Sequence, residues 1–152
     1  MAERVLNLGA GNHLATNAVN HDLIKHRPEI DVAWDLNELP WPWEDGAFDL
    51  VLASSVFEHL EIDLLTALNE CWRILRPGGQ ARIKIPYWEH RNAYSDPTHR
   101  RPPYDFSVFD AVDPDTKHGK ELGYYTERKW KVLKVSSNKE RSAVIGLLEV
   151  RK

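Results

Sequence analysis

Val5-Leu6-Asn7-Leu8 runs without a break into Gly9-Ala10-Gly11-Asn12. A short, mostly apolar run closed by two glycines reads as a buried strand meeting a tight loop. Glycine on either side of Ala10 lets backbone amides come close to a ligand, because no Cβ stands in the way. A dinucleotide fingerprint asks for a further glycine at position 14, where this chain has Leu14, and no Gly-Lys-Ser/Thr follows to make a phosphate loop. The loop therefore suits a nucleoside-like ligand that presents no pyrophosphate. Its plainer reading is a turn.

Working outward, Ala18-Val19-Asn20-His21-Asp22 is a second strand and Asp31-Val32-Ala33-Trp34-Asp35-Leu36 a third. Only 10 residues separate Gly11 from Asp22, and Leu23 to Pro28 leaves room for barely one turn, so no long helix is expected in either connection. Phe48-Asp49-Leu50-Val51-Leu52-Ala53 is a strongly apolar fourth strand. Ser55-Val56-Phe57-Glu58 matches a capping box. A helix is expected from about Asp63 to Leu75, with Leu64, Leu65, Leu68, Cys71, Trp72 and Leu75 as its stripe and Pro77-Gly78-Gly79 as its stop. Ala81-Arg82-Ile83-Lys84-Ile85 alternates as a fifth strand. From 86 to 127 the periodicity breaks down, with one short helix expected around Asp105 to Ala111. Trp130 to Val135 and Ala143 to Val150, joined through Ser136-Ser137-Asn138-Lys139, read as an antiparallel hairpin.

This order predicts an α/β fold: a doubly wound, mostly parallel sheet with the C-terminal antiparallel hairpin at its edge. One domain over 1–152 is expected, with 86–127 as an insertion on the ligand side. In such sheets ligands bind beyond the carboxyl ends of the strands, where the strand order reverses. Every loop singled out above follows a strand and falls on that one edge.

The composition agrees with a globular chain. The 152 residues are 42% apolar, 28% charged and 10% aromatic. Cys71 is the single cysteine, which excludes an intramolecular disulfide and a cysteine-cluster zinc site. With no secretory signal and no run of roughly 18 apolar residues, a cytoplasmic protein without membrane contact is expected. Residues 1–116 carry 10 Lys/Arg against 19 Asp/Glu, and residues 117–152 carry 10 against 4. The acidic body disfavours duplex nucleic acid as a partner. The basic C-terminal part reads as an edge hairpin blunted by lysines.

Two carboxylates at strand ends strengthen the nucleoside reading. Asp22 can accept both hydroxyls of a ribose, and Asp35 can accept from an adenine amino group with Leu36 against the ring. Either alone is an ordinary turn residue. Together, after a Gly-x-Gly loop, they form a pattern.

Leu6-Asn7-Leu8-Gly9-Ala10-Gly11-Asn12, Val19-Asn20-His21-Asp22-Leu23 and Trp34-Asp35-Leu36-Asn37-Glu38-Leu39-Pro40 together resemble a class I S-adenosylmethionine-dependent methyltransferase. The later runs Asp45 to Val51, Ser54 to Leu60 and Glu70 to Gly79 are similar to that family's following motifs, in order and spacing. The resemblance covers about residues 4–86. It implies a Rossmann-like sheet and S-adenosyl-L-methionine as cofactor. It also implies that Gly9, Ala10, Gly11 and Asn12 line the methionine part, Asp22 the ribose, and Asp35 and Leu36 the adenine, with Ser54 near the sulfonium. The family has a small residue where His13 stands, a longer first crossover, and a lid segment before the first strand. Its Glu-His dipeptide matches Glu58-His59, read here as cap and packing.

The segment after strand five is where a methyl acceptor, a small molecule in preference, enters. His90, His99 and Asp96 are the candidate catalytic residues, because methyl transfer needs alignment and, for a hydroxyl or protonated amine, a base. An imidazole has the right pKa range for that base. Two other readings stand beside the enzyme: a methyltransferase-like binding module without catalysis, and a metal-dependent enzyme built on His90, Asp96 and His99.

Overall fold

A computed structural model describes residues 2–152. Seven strands form one sheet: β1 (Val5–Leu8), β2 (Ala18–Asp22), β3 (Val32–Ala33), β4 (Phe48–Ser54), β5 (Leu75–Pro86), β6 (Lys129–Ser137) and β7 (Ala143–Arg151). Their order is β3-β2-β1-β4-β5-β7-β6. β1 to β5 run parallel, and β7 lies antiparallel to both β5 and β6. The doubly wound sheet and its antiparallel edge hairpin are as the sequence predicts. Among the described residues the helices are α1 (Leu64–Ile74), α2 (Asn92–Ser95) and α3 (Lys117–Leu122), and none is long and apolar enough to cross a membrane.

Register decides which face is wet. Leu6 stands beside Val51, Val51 beside Ala81, and Ala81 beside Leu148, and all four are buried. This row packs in one core with Ala67, Leu68, Cys71 and Ile74 of α1 and with Trp41, Phe57 and Trp130. Leu52, Arg82 and Leu147 make the row pointing the other way; Arg82 is exposed and the two leucines half-buried. The sheet thus buries one face fully.

α1 begins where the Asp63 carboxylate accepts from the Thr66 amide at 2.7 Å. Its end differs from the expected stop. The chain passes directly from Ile74 into β5, with Leu75 beside Phe48, and Pro77-Gly78-Gly79 becomes an irregularity in that strand pairing. Gly79 is needed there, because a Cβ would sit 2.9 Å from the Arg76 carbonyl oxygen. The third strand is also shorter than read: only Val32 and Ala33 pair with β2.

No helix covers the first two connections. Side chains hold them instead. Asn7 Nδ2 donates to Asn20 Oδ1 (2.9 Å) and to the His13 carbonyl (3.0 Å), while Asn20 exchanges bonds with the Ala15 amide and carbonyl. Both asparagines are buried, so each satisfied amide also removes a desolvation cost.

Residues 86–127 fold tightly onto the sheet. Tyr87 bridges to Tyr104, and Phe109 lies so close to β7 that a Cβ on Gly146 would come within 2.4 Å of its ring. The helix expected around 105–111 is a 3₁₀ turn over Val108–Val112, and α2 and α3 carried no periodic signal. Both are too short for one.

Replacing Asp63 by Ala removes the cap of the longest helix. Urea denaturation of D63A should show about 1 kcal/mol less stability than the parent chain. An unchanged midpoint would show that the cap contributes nothing.

Candidate active site

Strand order reverses between β1 and β4, and the loops leaving these two strands touch. Gly9 has φ +56°, and a Cβ there would lie 2.6 Å from Val56 Cγ2. Only glycine allows this approach. On the other loop Ser55 has φ +57°, and its amide donates to the Lys84 carbonyl at 2.9 Å. The capping box read at Ser55 to Glu58 does not form: Val56 precedes a short 3₁₀ turn over Phe57–His59 with no side-chain cap. The left-handed Ser55 aims the chain into the site instead.

The second strand end shapes the glycine loop. Asp22 Oδ2 accepts from the Gly11 amide and Oδ1 from the Leu23 amide, each at 2.7 Å. Gly11 has φ +52°, and a Cβ added to it would meet nothing within 4 Å, so this backbone opens to free space. His21 beside it is buried. Its Nδ1 accepts from the Gly9 amide (3.2 Å), which leaves Nε2–H to donate to the Trp34 carbonyl (2.9 Å). Desolvation lowers its pKa, so the ring is held neutral.

Gly9, Gly11, Asp22, Asp35 and Leu36 line one cleft of about 330 Å³, together with Trp34, Asn37, Val56 and Leu60. Ala10, Asn12 and Ser54 do not line it: Ala10 is buried, Asn12 and Ser54 are exposed, and Ser55 takes the place next to the cleft. Asp35 Oδ1 accepts from the Asn37 amide at 2.9 Å, which fixes the turn below Leu36.

A second cavity of about 320 Å³ adjoins the first, and Ser55 and His59 line both. Its other walls include Glu58, Lys84, Asp96 and His99. Of the three candidate catalytic residues, Asp96 and His99 are here. His90 is not; its Nδ1 accepts from the Asn92 amide at 3.2 Å and closes a turn. Glu58 and His59, read from sequence as cap and packing, are the residues missed. Their signals were a place just beyond a strand end and the match to the family's Glu-His dipeptide.

Hydrogen bonds fix the two imidazoles of this cavity. His99 Nδ1–H donates to the Ala93 carbonyl at 3.0 Å. Thr98 Oγ1 donates its one hydrogen to Asp96 Oδ1 (2.6 Å), so toward His59 Nδ1 (2.9 Å) it accepts. Each ring therefore carries a hydrogen on Nδ1 and turns Nε2 toward a carboxylate, His59 to Glu58 Oε1 at 4.0 Å and His99 to Asp96 Oδ2 at 3.8 Å. The ring centroids are 4.8 Å apart. Beside them Glu58 is buried, with Oε2 lacking a partner, and burial raises its carboxyl pKa.

Comparison with known proteins places this geometry. A family model described as a methyltransferase domain matches residues 6–83, about half the chain. The chain belongs to this family, the class I S-adenosylmethionine-dependent methyltransferases. A probable S-adenosylmethionine-dependent methyltransferase of Mycolicibacterium smegmatis is 40% identical over 60 residues, 39% of this chain. The chloroplastic tocopherol O-methyltransferase of Arabidopsis thaliana is 36% identical over 91 residues, 60% of this chain. The matched stretch spans 22% of the length of each of these relatives. Among solved structures, a SAM-dependent methyltransferase from Archaeoglobus fulgidus superposes with TM-score 0.60 at 16% identity, covering 97% of this chain and 86% of that one. A Burkholderia thailandensis 1,6-didemethyltoxoflavin-N1-methyltransferase, solved with S-adenosylhomocysteine, does so with TM-score 0.61 at 17% identity, covering 99% and 72%. These likenesses establish the methyltransferase fold.

The neutral His21 gives the methyltransferase domain a pH-dependent stability. Its folded pKa lies below the unfolded value near 6.5, so the unfolded chain binds the proton first. The stability His21 supplies is fully present above that value and declines as pH falls through it toward the folded pKa. Urea midpoints measured from about pH 7.5 down to about pH 5.5 should fall, and the fall should be shallower in His21→Gln. Parallel profiles for the two proteins would remove His21 as the cause.

Proposed function

We propose that this chain transfers a methyl group from S-adenosylmethionine to a small polar acceptor carrying a hydroxyl or amine. The observation that carries this reading is the meeting of the two cavities at Ser55 and His59. One is edged by open glycine backbone and a strand-end carboxylate, the other by hydrogen-bond acceptors.

The residues of the first cleft suit the cofactor. Gly11, with no side chain and open space beside it, leaves room for the methionine part to lie against the loop. Each Asp22 oxygen spends one lone pair on a backbone amide and keeps another for a ribose hydroxyl. Leu36, Val56 and Leu60 offer apolar surface for the adenine, with Asp35 at its edge. When bound, S-adenosylmethionine supplies a methyl group made electrophilic by a sulfonium.

In the second cavity the protein's part is to orient the acceptor and draw off its proton. Glu58, His59 Nε2 and His99 Nε2 offer acceptor positions, which suit an O–H or N–H of the acceptor. Asp96 supports the site by holding Thr98, which in turn fixes the His59 ring. The cavity's size favours a small molecule over a polymer.

Calorimetry with S-adenosylhomocysteine should give saturable heat; silence at high micromolar ligand would overturn the assignment. Gly11→Val should keep the fold by circular dichroism and lose that heat, because a β-branched side chain at φ +52° is strained and fills the cleft edge. Asp22→Ala should weaken binding on the order of 10- to 100-fold, as a hydrogen bond to a charged group is worth about 1.5–3 kcal/mol. Unaltered affinity in both variants would mean that the cofactor lies elsewhere. His99→Ala should leave cofactor affinity intact and lower turnover roughly 10²–10⁴-fold. Full turnover in this variant would reduce His99 to a packing role.

A further inference from the structure

Glu58, His59 and His99 form a group that hydrogen bonding within the protein does not satisfy. Their donor atoms lie within 4.8 Å of one another. Each Nδ1 hydrogen is committed to Ala93 or Thr98, which leaves Nε2 as the ligating nitrogen of both imidazoles. The Glu58 side chain is 3% exposed, its Oε1 stands 4.0 Å from His59 Nε2, and its Oε2 has no partner. The partnerless Oε2 of this buried carboxylate is costly to leave bare, and a positive occupant held among the three side chains would satisfy it. Lys84 lines the same cavity, but among the described residues it makes no ion pair with Glu58.

We infer that Glu58, His59 and His99 bind a divalent transition-metal cation at the floor of the second cavity. Two imidazoles and one carboxylate suit zinc, iron or cobalt, and leave further coordination positions open to the cavity. The outer partners fit as well. A metal-bound imidazole donates its remaining N–H to a carbonyl or a carboxylate-backed group, as His99 does to Ala93 and His59 does to the Asp96-held Thr98. This replaces the metal set expected from sequence: His90 is absent from it, and Asp96 borders it, with Oδ1 accepting from Thr98 and Oδ2 standing 3.8 Å from His99 Nε2. The site deepens the methyl-transfer reading and rests on it only for its purpose. With a cation held there, Nε2 of both imidazoles would reach the acceptor through the metal rather than directly. The cation would bind an acceptor hydroxyl and lower its pKa, releasing the proton to water and holding the oxygen beside Ser55 and the first cleft.

Cobalt(II) added to metal-free protein is the probe, followed through its visible d–d absorption. One saturable equivalent is expected. Binding should weaken at least about 10-fold in each of Glu58→Gln, His59→Ala and His99→Ala, and remain unchanged in His90→Ala. Absence of saturable binding, or binding equal in the parent and both histidine variants, overturns the site. The histidine variants decide the matter if Glu58→Gln fails to fold, since His59 is a third exposed. S-adenosylhomocysteine calorimetry on the same samples separates the two readings. Heat without cobalt absorption removes the metal alone, and cobalt absorption without heat removes the methyl-transfer reading while the metal site stands.

Discussion

Gly9 against Val56 is the contact on which the site depends. The two residues leave neighbouring parallel strands at the point where the strand order reverses, and only hydrogen separates the backbone of one from the side chain of the other. A wider spacing would splay the two loops and open the cleft between Asp22 and Leu36 to bulk water. A side chain at position 9 would force that spacing. The same closeness brings Ser55, which with His59 lines both cavities, to the wall between them.

The first two connections do with polar side chains what helices do elsewhere in such sheets. Asn7 and Asn20 pair across β1 and β2 and clasp the backbone of residues 13 and 15. Asp22 clasps the glycine loop, and His21 ties β1 to the loop after β3. His21 and Asp22 are at once structural ties and walls of the first cleft. A sequence with this economy has fewer residues that serve packing alone.

Strand ends were legible because apolar runs closed by Gly or Asp have one physical reading. β1, β2, β4, α1 and the hairpin follow from periodicity and turn chemistry, and Asp22, Asp35 and Leu36 follow from their place after strands. What escaped depends on dihedrals and on contacts distant in sequence. Ser55 matches a capping box by spacing, yet its left-handed backbone sends Glu58 into a buried pocket. His90 and His99 look alike in an aperiodic segment, and only the fold puts one against His59 and the other in a turn. The asparagine pair carries no signal in a single chain, because its meaning lies in the register of two strands.

The two halves of the sheet are built from different forces, and this bears on how the molecule opens. Around α1, β5 and β7 the core is apolar and continuous, whereas the β2–β3 edge is held largely by side-chain hydrogen bonds and ends in a two-residue strand. Regions with few buried apolar contacts open at lower free energy than the global transition. Amide exchange in β2 and β3 is thus governed by a local opening that leaves the α1 side intact. A ligand seated on Asp22 and Leu36 closes that opening by mass action, so occupancy is written into the protection of a strand edge as well as into the cleft itself.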